Sequence, residues 1–223
     1  MSDIKIIELK KSIFEDNDAD AERLRKSLKE DGSFLLNVMS SPGSGKTTTL
    51  IQIINRLKAE ISVAVMEADI DSDKDARKVA EETGVRSVQL HTGGMCHLDA
   101  DMTRQGIKEL EGEKADLIIL ENVGNLVCPA EFDTGAVKNM TILSVPEGDD
   151  KPLKYPLMYE VSHILVINKI DVLPYFDFDM AKVKEYALRR NPDLAIFEIS
   201  AKTGEGTEAL CEFLKKEVLS WKE

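Results

Sequence analysis

Seven short apolar runs set the fold of this chain: residues 35–39, 63–66, 87–90, 117–120, 142–145, 164–167 and 195–199. Several lack the alternation of a half-exposed strand, so both of their faces need cover, as in parallel sheets flanked by helices. Between many of them lie helical patterns, at 76–83, 102–110, 180–189 and 206–219. This alternation predicts an α/β fold: a doubly wound, mostly parallel sheet with helices on both faces and right-handed crossovers. Such sheets bind ligands beyond the carboxyl ends of their strands. The loops that follow the runs are therefore the places to look for chemistry.

No Pro-, Ser- or Gly-rich linker interrupts the 223 residues. We expect an N-terminal helical extension over 1–32 and one larger domain over 33–223. In the extension, Asp18 or Asp20 would cap a helix, Leu24 and Leu28 form a thin apolar stripe, and Gly32 ends it. A net charge of −12, with Lys and Arg scattered among the acids, argues against nucleic-acid or anionic-membrane partners. No apolar run approaches a membrane span, and Met1-Ser2-Asp3-Ile4-Lys5 lacks the apolar core of a signal peptide, so a cytoplasmic location is expected. Three cysteines, Cys96, Cys128 and Cys211, without C-x-x-C spacing, argue against a disulfide scaffold.

The first run leads into Ser41-Pro42-Gly43-Ser44-Gly45-Lys46-Thr47-Thr48, and a helical pattern follows to Leu57. Strand, glycine turn and helix are the context of a phosphate-binding loop. Gly43 and Gly45 let successive N–H groups, including that of Ser44, face one anion, and the helix start adds its partial positive charge. Lys46 would reach the β/γ-phosphates and the Thr47 hydroxyl would ligate Mg²⁺. The pattern G-x-x-x-x-G-K-T has Ser40 where its first glycine stands, which bears on how the loop begins rather than on the anion site.

The run 164–167 leads into Asn168-Lys169-Ile170-Asp171, an N-K-x-D match. A carboxylate at 171 accepts from both the N1–H and the amine of guanine and would face adenine unpaired, which gives base selectivity. Asn168 would tie this loop to its neighbours, and the Lys169 stem would lie along the ring. Ser200-Ala201-Lys202, after the last run, matches an S-A-K loop that closes over guanine through a backbone amide; by itself it is an ordinary turn. Acids end two further runs, in Glu67-Ala68-Asp69-Ile70-Asp71 and in Glu121-Asn122-Val123-Gly124. Asp69 and Glu121 are candidates for the Mg²⁺ shell, and Asp69 and Asp71 for aligning water. Gly124 is placed to offer its N–H to a γ-phosphate. No glutamine follows it, so hydrolysis is expected to be slow.

Cys96 and His97 follow Gly93-Gly94-Met95, and Cys128 lies four residues past Gly124. Two thiols and an imidazole on strand-end loops suit Zn²⁺ or Ni²⁺. Three ligands are one short of a closed site; water or a twofold-related copy would complete it. The competing reading is isolated buried thiols, and it is the one we adopt for Cys211, on the apolar face of the last helix. His91 and His163 border strands and read as structural.

Together these residues resemble the hydrogenase nickel-incorporation GTPases (HypB), a family shared with the urease accessory GTPase. The resemblance rests on Ser41 to Thr48, Glu67 to Asp71, Gly94-Met95-Cys96-His97, Glu121-Asn122-Val123-Gly124 with Cys128-Pro129, and Asn168 to Asp171. It implies a P-loop NTPase G domain that hydrolyses GTP to GDP, with Lys46, Asp69 and Asp71 catalytic. It also implies a nucleotide-dependent homodimer carrying Ni²⁺ or Zn²⁺ at its interface, and nickel delivery to a hydrogenase large-subunit precursor alongside other maturation proteins. An N-terminal cysteine motif and a histidine-rich stretch are family features missing from this sequence, so the expectation is delivery from the G-domain site without nickel storage. The alternatives are a urease-type nickel GTPase, marked by a Cys-Pro-His triplet where this chain has Met-Cys-His; an ATP-using kinase or synthetase; and a metal carrier with a purely structural nucleotide.

Overall fold

The computed structural model describes residues 9–69, 73–110, 112 and 114–223, with side chains from Phe14 onward. The elements run α1 (Leu9–Asp31), β1 (Phe34–Ser40), α2 (Lys46–Leu57), β2 (Val63–Asp69), α3 (Lys74–Thr83), β3 (Arg86–His91), α4 (Ala100–Glu109) and β4 (Leu117–Glu121). They continue with α5 (Cys128–Glu131), β5 (Lys138–Ser144), α6 (Lys151–Lys154), α7 (Pro156–Glu160), β6 (Ile164–Asn168), α8 (Met180–Arg190), β7 (Ala195–Glu198) and α9 (Thr207–Lys222).

The strands form one seven-stranded sheet in the order β3-β2-β4-β1-β5-β6-β7, parallel throughout. The expected doubly wound α/β architecture is thus observed, with no antiparallel strand among the described residues. Alternate residues supply two faces, the period-2 geometry of a pleated strand. Leu36 and Val38 of β1 and Val63 and Val65 of β2 face α2, α3 and α9, in a core that includes Ile53, Val79 and Leu214. On the opposite face Leu35 and Met66 meet α1 and α4, and Leu165 and Ile167 of β6 meet α7 and α8. Both faces are dry, which explains the unbroken apolar runs.

Helix α1 begins earlier than the capping residues proposed from sequence, and Asp18 and Asp20 lie inside it rather than at its start. Asp, a poor helix former, is tolerated there because the opposite face docks: Ala21 is buried, and Leu24 and Leu28 are buried against the sheet. Gly32, at φ 67°, ends the helix as expected. The leader residues 1–8 lie outside the described residues.

A polar thread crosses the middle of this sheet. Asn122 Nδ2 donates to Asn37 Oδ1 at 3.0 Å, Asn37 Nδ2 to Asn139 Oδ1 at 3.0 Å, and Asn139 Nδ2 to the Val161 carbonyl at 3.0 Å. Asn37 and Asn122 are buried, so this relay meets hydrogen-bonding needs that water cannot. His163 accepts from the Asn139 amide at 3.0 Å, which fits its structural reading. Among the described residues no helix is long and apolar enough to cross a membrane.

Candidate functional site

β1 sits mid-sheet between β4 and β5, and its carboxyl end opens into the turn 41–45 before α2. Gly43 at φ 76° and Gly45 at φ 95° occupy the left-handed region. A Cβ at Gly45 would also lie 2.5 Å from Asn168 Nδ2, so glycine is required there twice over. The serine that replaces the expected first glycine is buried and engaged. Ser40 Oγ accepts from Ser44 Oγ at 2.6 Å and from Lys46 Nζ at 3.0 Å, and donates to the Ser41 carbonyl at 2.8 Å. Ser41 in turn hydrogen-bonds Glu147, whose other oxygen accepts from the backbone and hydroxyl of Ser144, both at 2.7 Å. Glu147 thereby staples the turn to the end of β5. A cavity of about 660 Å³ opens beside the turn, lined among others by Lys46, Thr47, Glu67, Asp69, Glu121 and Gly124.

At the far side of the turn, Asn168 holds three loops together. Its Nδ2 donates to the Ser44 carbonyl at 2.9 Å, and its Oδ1 accepts from Ala201 N at 3.0 Å and Lys169 N at 2.7 Å. Lys169 stands at φ 64°, a conformation that side chains seldom adopt. Its Nζ reaches back to the Gly43 carbonyl at 2.7 Å. Asp171 Oδ1 accepts from Ser200 Oγ at 2.7 Å. The residues singled out at 168–171 and 200–201 therefore converge on the glycine turn, although more than 120 positions separate Ser44 from Asn168 along the chain. Lys202 is exposed beside them.

Glu67 and Glu121 stand opposite one another in the β2–β4 register, both buried. Burial first, then the charge of Glu121 and a hydrogen bond with it, push the Glu67 carboxyl up to about 11. Glu121 is also raised, by burial. Two carboxylates in one dry pocket cannot both ionise cheaply and behave as a coupled pair. Thr47 Oγ1 donates to Glu121 Oε1 at 3.3 Å, while Glu121 Oε2 and Glu67 Oε1 have no hydrogen-bond partner. Orphaned carboxylate oxygens beside a threonine hydroxyl fit a hard divalent cation such as Mg²⁺. Asp69 ends β2 on the cavity wall. Asp71 lies outside the described residues.

Gly124 packs on the glycine turn. A Cβ there would come within 3.2 Å of Pro42 Cγ and 3.4 Å of Pro42 N and Cα. In the next residue, Asn125 Nδ2 donates to Cys128 Sγ at 3.4 Å. The neighbouring Cys96 thiol is the chief cause that holds the Cys128 thiol above its usual value. Cys96 Sγ lies 3.9 Å from His97 Nδ1, and the His97 ring stacks on Phe132 at 3.8 Å and 9°. Burial lowers the imidazole, keeping it neutral and able to ligate. Among the described residues no three His, Cys, Asp or Glu side chains are gathered as a metal cage. The structure brings the two thiols together and leaves His97 facing an aromatic ring. Cys211 is buried on α9, as its reading as core required.

Residues 34–198 match the nucleotide-binding domain described as CobW/HypB/UreG. The chain belongs to the CobW/HypB/UreG family. It is 45% identical to the hydrogenase maturation factor HypB of Rhizobium leguminosarum bv. viciae over 215 residues, 96% of this chain and 72% of that protein. It is 39% identical to the hydrogenase/urease maturation factor HypB of Helicobacter pylori, over 95% of this chain and 87% of that one. The crystal structure of HypB from Helicobacter pylori in complex with nickel superposes with a TM-score of 0.86 at 38% identity, covering 92% of this chain and 96% of that one. Membership in this family makes the glycine turn and its cavity part of a nucleotide-binding domain.

Sequence reasoning missed Glu67, Glu147, Asn125 and Phe132. For Glu147 a signal was present, the Ser144-x-x-Glu147 spacing of a capping box, formed here at a 3-10 turn. Glu67 was quoted only as part of an acidic stretch. β2 extends to Asp69, so Glu67 lies within the strand and opposite Glu121 rather than in a loop.

Proposed function

We propose that this chain is a GTP-hydrolysing metallochaperone that delivers nickel during hydrogenase maturation, its guanine nucleotide gating a thiolate metal site. The observation that carries this reading is the short path from nucleotide to thiol. Gly124 rests on Pro42 of the glycine turn, and the same loop ends at Cys128, beside Cys96. The domain that does this work comprises residues 33–223, with residues 1–32 as a helical extension.

In this reading the N–H groups of residues 43–48 cradle the phosphates, and Lys46 exchanges its bond to Ser40 for one to the β/γ-phosphates. Thr47, Glu121 and Asp69, joined by Glu67, would hold Mg²⁺, which supplies charge neutralisation for the leaving phosphate. Asp69 and Asp71 orient the attacking water. Asp171 accepts from guanine, Asn168 and Lys169 brace the base loop, and the backbone at Ser200, Ala201 and Lys202 closes over the ring. Gly124 would donate to the γ-phosphate, so that its loop, with Cys128, takes different positions before and after hydrolysis. Nickel is the cargo. Each chain offers Cys96 and Cys128, and a second copy related by twofold symmetry would double them to four thiolates, with His97 available as an exchange ligand.

A binding titration tests the reading. Ni²⁺ affinity and oligomeric state are measured with GDP and with a slowly hydrolysed GTP analogue, for the wild type and for Cys128→Ala. We expect nucleotide-dependent affinity and dimerisation, both lost in the variant. By reciprocity, nickel must change GTP-analogue affinity by the same factor. Affinity and oligomeric state indifferent to nucleotide would leave only a static carrier. Single-turnover hydrolysis with and without Ni²⁺ separates that carrier from an enzyme. A urease client is the second reading, favoured by the Helicobacter pylori relative's name as a hydrogenase/urease maturation factor; transfer assays to each apoprotein decide between them.

A further inference from the structure

Cys96 sits on the segment after β3 and Cys128 opens α5 after β4, and β2 lies between those two strands. The ladder of the sheet therefore does not join the two loops directly, and their spacing must be set by something else. Helix α1 makes that connection. Asn17 Oδ1 accepts from the backbone N–H of Ala100, three residues past His97, while its Nδ2 donates to the Asp133 carbonyl at 3.0 Å, just beyond α5. One amide thus bridges the start of the helix after Cys96 and the segment that carries Cys128. Arg25 grips the same segment, donating to both carboxylate oxygens of Asp133 at 2.9 and 2.8 Å and to the Ala136 carbonyl at 3.0 Å. The Phe14 ring lies 4.8 Å from that of Phe132, which itself stacks on His97. A single helix face therefore touches the supports of both thiols and of the imidazole.

We propose that α1 is a clamp that fixes the span between Cys96 and Cys128 and the plane of His97, with Phe14 and Asn17 as positioning residues for the thiol pair. The inference rests on the metal-delivery reading for its purpose, although its geometric content does not depend on nickel. Outer contacts that orient ligands are worth roughly ten- to a hundredfold in metal affinity. An amide that hydrogen-bonds two loops, and a ring that supports an imidazole through a second ring, are contacts of that kind.

The test uses the full chain and its Phe14→Ala/Asn17→Ala double variant, with Phe14→Tyr as the conservative control. The first readout is metal-free: the equilibrium between the Cys96–Cys128 dithiol and its disulfide in mixtures of reduced and oxidised glutathione, followed by peptide mapping. The second is Ni²⁺ affinity from the thiolate-to-nickel charge-transfer band. GDP affinity reports that the nucleotide domain is intact. We expect the double variant to shift the thiol equilibrium toward the open dithiol and to weaken nickel, each by about tenfold or more. GDP affinity should stay within about twofold, and Phe14→Tyr should keep both readouts near wild type. A thiol equilibrium unchanged within about twofold in the double variant overturns the clamp. If the wild type itself fails to bind nickel, the delivery reading falls, and the thiol equilibrium still decides the clamp. Should the double variant lose GDP binding, Asn17→Ala alone carries the same test by the same criteria.

Discussion

Replacing Glu67 by glutamine should make the nucleotide-free protein more stable at alkaline pH, against the usual expectation for a buried substitution. In the fold Glu67 holds its proton up to about 11, through burial, the charge of Glu121 and a hydrogen bond with it. The unfolded chain releases the same proton near its ordinary value of 4.5. Between those values folding takes up one proton, so native stability falls as pH rises, by about 1.4 kcal/mol per pH unit. From pH 6 to pH 8 the loss attributable to this group is about 3 kcal/mol. Glutamine keeps the shape and a donor toward Glu121 and has nothing to ionise. The difference in unfolding free energy between the two proteins, from urea titrations at pH 6, 7 and 8 without Mg²⁺ or nucleotide, should therefore drift by about 3 kcal/mol in favour of the variant. Saturating Mg²⁺ and GDP should flatten the drift, because a cation favours the ionised pair. Parallel pH profiles in the metal-free state would refute the shared-proton account of this pocket.

Three further outcomes follow from contacts described above. Asp171→Asn should weaken GDP binding by at least about a hundredfold in a fluorescent-nucleotide titration, because the group proposed to face the guanine edge changes from acceptor-only to partly donor; unchanged affinity would remove Asp171 from the base site. Gly45→Ala should cost about 1–3 kcal/mol and disturb Asn168, whose Nδ2 would be 2.5 Å from the new Cβ, whereas Gly43→Ala, with open space around it, should lose less melting temperature. Asn37→Leu should destabilise by about 1–3 kcal/mol, since it strands the buried Asn122 amide, and a silent thermal melt would show that the polar thread is dispensable.

The fold was legible because nearly every strand declared itself as an uninterrupted apolar run, and the helices by their period. The limits were set by polar residues that belong inside. Glu67 continues β2 and Asn139 belongs to β5, yet a charge or an amide reads locally as the end of a strand. The short helices α5, α6 and α7 carry too few residues to show a period and went unforeseen. At the candidate site, Lys46, Thr47, Asn168 and Asp171 could be singled out from sequence because phosphate and guanine chemistry would demand those groups at fixed points after strands. Ser40 was legible only as a departure from pattern, and its grip on Lys46 needed coordinates. The thiols were found from loop position. That Phe132, rather than a further ligand, stands against His97 depends on how α5 leaves β4, which no local pattern records.

The strand order has a consequence for how the protein is made. β1 is the first of these seven strands to be synthesised, but its two partners are β4 and β5, so it must wait for residues 117–121 and 138–144. Its glycine turn then stays untethered until Asn168 arrives to bond the Ser44 carbonyl, and Asn168 is itself seated by the amide of Ala201. A nascent chain with most of its length synthesised would thus display a bare sheet centre and no competent nucleotide pocket. Long-range parallel pairing of this kind is slow and exposes apolar surface meanwhile. In the proposed reading, guanine nucleotide is a ligand that can be held only once Asn168 and Ala201 are in place, so its binding reports that these distant segments have joined.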